Sequence, residues 1–266
     1  METDPCANTP DALARGFSSG LIPRQRIAWM LALRSVIAFS LLIFFALVFR
    51  LAGRQTALAD ASAWWLWFVT AANAFSLFFI IRFGRCEGVR LQDLYFLNRA
   101  TWKADLGWSL GALIVVGLVA QIPGDLLARL LWGDVNTPTS MLLQPLPLAA
   151  IYPLFVLMPA GQALAELPLY WGYVAPRLRA SGMSRGRVLI LVASVLSLQH
   201  LFFSFQWDWR YDFWLAVRYL PFALWTGFVV ERRPSTLPYL MAAHFLIDAT
   251  LPLLLLLVSQ GIPLVR

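Results

Sequence analysis

The chain has 266 residues, of which 60% are hydrophobic, 14% aromatic and only 13% charged. A soluble globular domain carries about 45–50% apolar and about 25% charged residues, so this composition, with a mean hydropathy of +0.69, excludes a soluble enzyme, a disordered chain and a fibrous repeat. The net charge of +7 is almost wholly arginine, and where those arginines sit carries more information than their sum.

A membrane helix needs about 20 mainly apolar residues. Residues 1–26 are polar and predict a flexible cytoplasmic tail, followed by a transmembrane helical domain over 27–266. The first apolar run, Ile27–Leu51, is too long for the core of a signal peptide and is expected to be kept as a span. Ala61–Ile81 is the second run. Leu106–Ile122 is the third, short one, after which Gly124 to Trp132 is expected to lie along the interface as an amphipathic stretch. The fourth, Leu142–Val174, carries Pro145, Pro147, Pro153, Pro159 and Pro168. Interior prolines remove helix hydrogen bonds, and two crossings would each fall short of a span, so one broken or protruding helix is expected. Val188–Phe203, Phe213–Val230 and Leu237–Val258 complete the set. The predicted fold is an all-α polytopic membrane bundle of about seven helices with a cytoplasmic N-terminus.

The basic residues orient it. Arg15, Arg24, Arg26, Arg82, Arg85, Arg90, Arg99, Lys103, Arg177, Arg179, Arg185, Arg187, Arg232 and Arg233 fall on one side of the alternating runs. Arg50, Arg54, Arg129, Arg210, Arg218 and Arg266 fall on the other, while Arg34 lies inside the first run. That bias places the richer side in the cytoplasm, as expected of a multi-pass protein of a bacterial inner (cell) membrane. The basic charge then reads as topology and contact with the lipid bilayer, with no nucleic-acid partner. Trp207, Trp209 and Tyr211 read as an aromatic belt on the far side. Cys6 and Cys86 both fall on the cytoplasmic side, where a disulfide is not expected.

Ionisable groups within spans are costly and mark functional sites by default. Apart from Arg34, the mid-span inventory is Glu166 in the fourth run, His200 in the fifth, and His244 and Asp248 in the seventh. Both histidines of the chain sit in apolar helices. At about 1.5 Å per residue, Glu166 lies roughly 16 Å from Arg177, His200 roughly 20 Å from Arg187 and His244 roughly 16 Å from Arg233. Three helices thus carry a carboxylate and two imidazoles to similar depth, and Asp248 shares a helix face with His244. A buried glutamate is a competent general base toward water, and histidines can orient that water or donate to a developing oxyanion. No serine or cysteine stands in a nucleophile setting. Zinc held by Glu166, His200 and His244 is chemically conceivable, although the HExxH spacing is absent; no other cofactor is implied. Gln121, Gln144 and Gln162 read as interhelical hydrogen bonders, with Gln162 one turn from Glu166. Phe202, Phe203 and Phe205 read as lipid or core packing.

The stretch Ala165–Leu178, AELPLYWGYVAPRL, resembles the first motif of the CPBP family of intramembrane proteases, EExxxRG followed by a tyrosine, apolar residues and Arg-Leu. SVLSLQHL around His200 resembles their second motif, FxxxH, and AAHFLIDAT around His244 resembles their third, a histidine with Asn or Asp four residues on. The three occur in order on separate runs, within residues 160–250. The family includes the CAAX prenyl endopeptidases. The resemblance implies a helix bundle around a cytosol-facing cavity and a metal-free glutamic peptidase. In it Glu166 would activate water, His200 would assist, and His244 and Asp248 would stabilise the oxyanion. Leu167 stands where the family has its second glutamate, Trp171 where it has the arginine, and Leu196 where it has the phenylalanine. Removing both halves of a buried pair is often neutral, whereas breaking one half costs about 3–5 kcal/mol, so Leu167 and Trp171 together read as a diverged support shell. The expected function is hydrolysis of a peptide bond in a membrane-anchored or membrane-proximal polypeptide. Two alternatives stand beside it: an inactive family member serving as a membrane binding or immunity partner, and a proton-coupled transporter using Glu166 and Asp248.

Overall fold

A computed structural model describes residues 8–95 and 97–262; Cys6 and Arg266 lie outside this range. Helix α1 (Pro10–Ser18) is followed by seven helices long and apolar enough to cross a membrane. These are α2 (Arg24–Leu51), α3 (Trp65–Cys86), α4 (Trp102–Trp132), α5 (Leu148–Ala180), α6 (Arg185–Phe203), α7 (Trp209–Arg232) and α8 (Pro234–Ser259). No strand occurs among the described residues. The side-chain distribution is that of a protein dissolved in lipid: Phe44, Leu47, Ile114, Leu130, Val156 and Leu246 project outward, while Arg34, Asn73, Glu166 and Gln199 are buried. The chain is an all-α, multi-pass membrane protein.

Two sets of contacts define the ends of the bundle. At the arginine-rich end, Arg26 and Arg177 both pair with the buried Glu87, at 2.9 and 2.5 Å, and the Tyr173 hydroxyl donates to the same carboxylate at 2.7 Å. Arg179 pairs with Glu231 at 3.4 Å, and Arg233 with the fully buried Asp105. At the opposite end the ion pairs are local, Arg54 with Asp60 at 2.9 Å and Arg210 with Asp208 at 2.7 Å, and neutral bonds join distant segments. Trp67 donates to the Ala150 carbonyl at 3.0 Å, Trp214 to that of Gly124 at 3.0 Å, and the Ser62 hydroxyl to that of Phe205 at 2.8 Å.

Three sequence expectations are corrected. Within the stretch expected to be a loose tail, α1 is a docked helix. Thr9 caps it by accepting from the Ala12 amide, Leu13 is buried, and Asn8 donates to the Gly172 carbonyl at 3.4 Å. Alternating polar and apolar residues that look like a tail are in fact an amphipathic helix with one face to bury. Gly124 to Trp132 is not a separate interfacial segment but the continuation of α4, which runs through Pro123 without a break. Tyr211 is not a belt residue: it is fully buried, its hydroxyl 2.9 Å from that of Ser204, whereas Trp207 and Trp209 are exposed as expected. The proline-rich fourth run is a single broken crossing, as anticipated, with a turn at Tyr152 and Pro153 and a π-helical stretch over Pro168–Val174.

The apolar interior is divided in two. One cluster, around Met30, Ile80, Tyr170, Val192 and Leu240, fills the arginine-rich half. The other, around Leu42, Phe68, Met158, Phe203 and Leu255, fills the opposite half. Along every spanning helix except α4 the boundary falls at a polar residue: Arg34, Asn73, Gln162 with Glu166, Gln199 with His200, Tyr219, and His244 with Asp248.

Glu87 answers two arginines, one of them fully buried, so its removal leaves uncompensated charge inside the bundle. Glu87→Gln is expected to destabilise the protein by about 3–5 kcal/mol, read as a lowered thermal midpoint in detergent micelles. A change no larger than about 1 kcal/mol, as for an exposed pair, would show that water screens this cluster.

Candidate active site

Backbone irregularities aim the polar layer inward. Pro168 has no amide hydrogen for the Leu164 carbonyl four residues back, and the Tyr95 hydroxyl donates to that carbonyl instead, at 2.8 Å. Burial pushes the Tyr95 phenol above its ordinary range, which keeps the hydroxyl a donor. The π-helical turn begins at this proline, directly after Glu166; such turns recur at functional sites. Single-residue breaks interrupt α6 at Gln199, α7 at Tyr219 and α8 at Ala249. Pro221 and Pro252 account for the last two, since each lacks the amide that would continue the ladder. Non-helical backbone is tolerated in a membrane only where protein or an internal cavity surrounds it, and all of these breaks lie beside the same cavity.

That cavity has a volume of about 470 Å³, and Glu166, His200, His244 and Asp248 all line it. The fold therefore brings together the four residues singled out by the sequence. Glu166 accepts three hydrogen bonds, with His244 close by. Gln199 reaches Oε1 at 2.5 Å and Arg34 reaches the same oxygen at 3.4 Å. Gln162 donates to Oε2 at 2.6 Å, and the Nε2 of His244 lies 3.3 Å from it. The same Nε2 lies 2.8 Å from Asp248 Oδ2 without the alignment of a hydrogen bond, and His244 Nδ1 is buried with no hydrogen-bond partner among the described residues. His200 points Nδ1 at the Ser197 carbonyl at 3.0 Å. A carbonyl oxygen only accepts, so Nδ1 carries a proton and the neutral ring keeps Nε2 as an acceptor. Tyr219 stacks on that ring with centroids 3.8 Å apart and planes at 14°, fixing its orientation. Among the described residues, no three His, Cys, Asp or Glu side chains are grouped so as to hold a metal ion.

Several contributors are not apparent from the sequence inventory. Arg34, set aside there, is fully buried, and besides Glu166 it donates to Gln199 at 2.7 Å, to Gln162 at 3.1 Å and to Asn73. Gly161 lets Asn73 come close, since a Cβ there would lie 3.1 Å from that of Asn73. Gln199 also accepts from the Tyr170 hydroxyl at 2.9 Å. Phe203, assigned only to packing, lines the cavity and lies under the Arg34 guanidinium at 5.6 Å. Arg218, counted with the outer loops, lies within α7 and lines the cavity as well. Its position inside the Phe213–Val230 run was the available signal. Of the two residues that depart from the family pattern, Leu167 is buried, and the Trp171 ring fills the niche left by Gly227, where a Cβ would be 2.2 Å from it.

The cavity is asymmetric along the bundle. Trp65 and Val69 line it from the start of α3, Gln121 from the second half of α4, Met158 from above Glu166 in α5, and Leu251 from beyond Asp248. Each lies between the glutamate layer and the end opposite the arginine clusters. Gly117, Gln121 and Ile247, which line it from α4 and α8, are exposed residues. Comparison with known proteins finds no matching family model, curated protein or solved structure.

Because Arg34 and Glu166 neutralise each other in an apolar interior, single and paired substitutions should behave differently. Arg34→Met is expected to cost about 3–5 kcal/mol, and Arg34→Met with Glu166→Gln to regain much of that loss, measured by thermal unfolding in micelles. A double variant no more stable than Arg34→Met would show that the amide network, rather than charge pairing, carries the stability.

Proposed function

We propose that this protein is an intramembrane glutamic endopeptidase of the CPBP kind, cutting a membrane-anchored or membrane-proximal polypeptide. We place it in a bacterial inner membrane with its arginine-rich end in the cytoplasm. The observation that carries this reading is the meeting of Glu166, His200, His244 and Asp248, from three separate helices, around one cavity in the middle of a membrane bundle. The exposed cavity-lining residues Gly117, Gln121 and Ile247 add a route by which a chain segment enters from the lipid.

In this reading the water enters beside Glu166 Oε2, where the 3.3 Å contact with His244 is the weaker of the two. His244 then falls back on Asp248. Glu166 takes a proton from the water as the oxygen attacks the carbonyl carbon of the scissile bond, and His200 Nε2 accepts the water's other hydrogen and aligns it. The tetrahedral oxyanion is met by the His244 Nε2–H, which turns from Asp248 toward the developing charge. Glu166 returns its proton to the departing amine, the C–N bond breaks, and the second product is a carboxylic acid. Arg34 balances the charge of Glu166 and, through Gln199 and Gln162, holds it still. On the cytosol-facing geometry that the resemblance implies, the cavity would reach toward the arginine clusters. Here it extends the other way, so the substrate segment is expected to lie in the outer half of the bilayer.

One observation favours the non-catalytic alternative. A carboxylate offers about four acceptor positions, and Glu166 already accepts three hydrogen bonds, with His244 Nε2 3.3 Å away against the fourth position. A binding or immunity partner would keep such a saturated glutamate as structure.

The two readings part on Glu166→Gln, which keeps the size and shape of the side chain but removes the base. The peptidase reading expects membrane precursors to accumulate in cells carrying this variant, with cleavage reduced by about 10²–10⁴-fold, while the protein remains folded. Quantitative membrane proteomics checks this. Identical precursor and product levels in the two strains would leave the binding reading standing.

A further inference from the structure

We propose that Arg218 is an anion-recognition residue of the cavity and that its ligand is a carboxylate of the bound polypeptide. This rests on the reading of the cavity as a polypeptide site and names a feature of its substrate. Arg218 lies nine residues from the start of α7 at Trp209, roughly 14 Å along the helix. Ionisable groups at such depth face cavities and pair with something. The other deep arginine, Arg34, has Glu166 and three amide oxygens. The buried Asp105 has Arg233. Arg218 has no carboxylate within 4.0 Å among the described residues.

What Arg218 does have is a mount. Its guanidinium lies 4.6 Å over the Trp214 ring and 5.7 Å from that of Tyr219. Its stem passes Gly124, where an added Cβ would come within 3.3 Å of Cγ. Aromatic faces attract the cation yet leave the in-plane N–H fork free, and that fork matches a carboxylate. Asp212, the acid nearest in sequence, lines a different pocket with Phe39 and Leu42; Asp125 accepts from Gln121 at 2.7 Å, and Glu166 and Asp248 both lie against His244. On the Arg218 side of the glutamate layer the lining is mainly apolar, with Val69, Met158 and Phe203. An apolar chain bearing one negative group, displaced from its scissile bond, fits this distribution. Depth separates the two sources of an anion: Trp209, at the start of α7, is exposed at the belt level, and Arg218 lies well beneath it within a hydrocarbon layer about 30 Å thick, below the reach of headgroup phosphates.

The test uses binding, so it does not depend on turnover. A fluorescein-labelled apolar heptapeptide of alanine and leucine is made with a free C-terminal carboxylate and as its C-terminal amide. Both are titrated by anisotropy against full-length Glu166→Gln protein in micelles, alone and combined with Arg218→Gln or Arg218→Lys. With Arg218 present the carboxylate form is expected to bind at least about tenfold more tightly than the amide, as one charged hydrogen-bonded contact gives. Arg218→Gln should abolish the preference, and Arg218→Lys should keep a reduced one. Equal binding of the two peptides, or binding of neither, overturns the proposal. So does an Arg218→Gln effect confined to the affinity for phosphatidylglycerol over phosphatidylcholine in nanodiscs, which would assign the anion to lipid. Loss of the carboxylate preference leaves the proteomic test of Glu166 untouched. A silent proteome with the preference intact removes proteolysis but keeps the anion site.

Discussion

An arginine and a glutamate meet in the middle of a bundle whose every other tendency is apolar, and most of the architecture follows from keeping that pair satisfied. Neither charge is exposed to bulk solvent, and loss of either leaves the other uncompensated. Four further side chains, from α3, α5, α6 and α8, close around them. Helix packing in lipid has little hydrophobic driving force, so a polar layer spanning five helices sets their register in a way that leucine against leucine cannot. The apolar clusters on either side then fill space around a geometry already decided at mid-depth.

The same layer explains where the backbone departs from helix. A regular helix presents neighbouring residues about 100° apart, yet Gln199 and His200 both face the interior, one binding Glu166 and the other lining the cavity. The break at Gln199 allows this, although no proline or glycine accounts for it. In α5, α7 and α8 prolines supply the discontinuity. The exposed peptide groups are covered by protein, as the Tyr95 bond to Leu164 illustrates.

How much of this was legible in the sequence depended on scarcity. Glu166, His200, His244 and Asp248 stand out because ionisable residues are rare in apolar runs, and all four line one cavity. Asn73 and Gln199 carry no such signal, since amides are common glue between membrane helices, and only their convergence on Arg34 gives them meaning. Arg218 was obscured by the very rule that orients the chain: counting arginines by side treats each as a loop residue, including one within a span. Alternation of polar and apolar residues in α1 resembles a tail until its partner surface is known.

Arg34 also has a history within the life of each molecule. It enters the membrane in the first span, 132 residues ahead of Glu166, so at about 5–20 residues per second of synthesis it waits several seconds for its counter-charge. A central arginine adds about 2.5–3.5 kcal/mol to insertion, while each central leucine, isoleucine or phenylalanine returns about 0.3–0.6 kcal/mol. The helix that bears it is 28 residues long and the most apolar of the seven. Its excess length and greasiness, unneeded for crossing the bilayer, are what allow a lone cation to remain in lipid until α5 arrives. The composition of the first span thus records the order of assembly as well as the final fold.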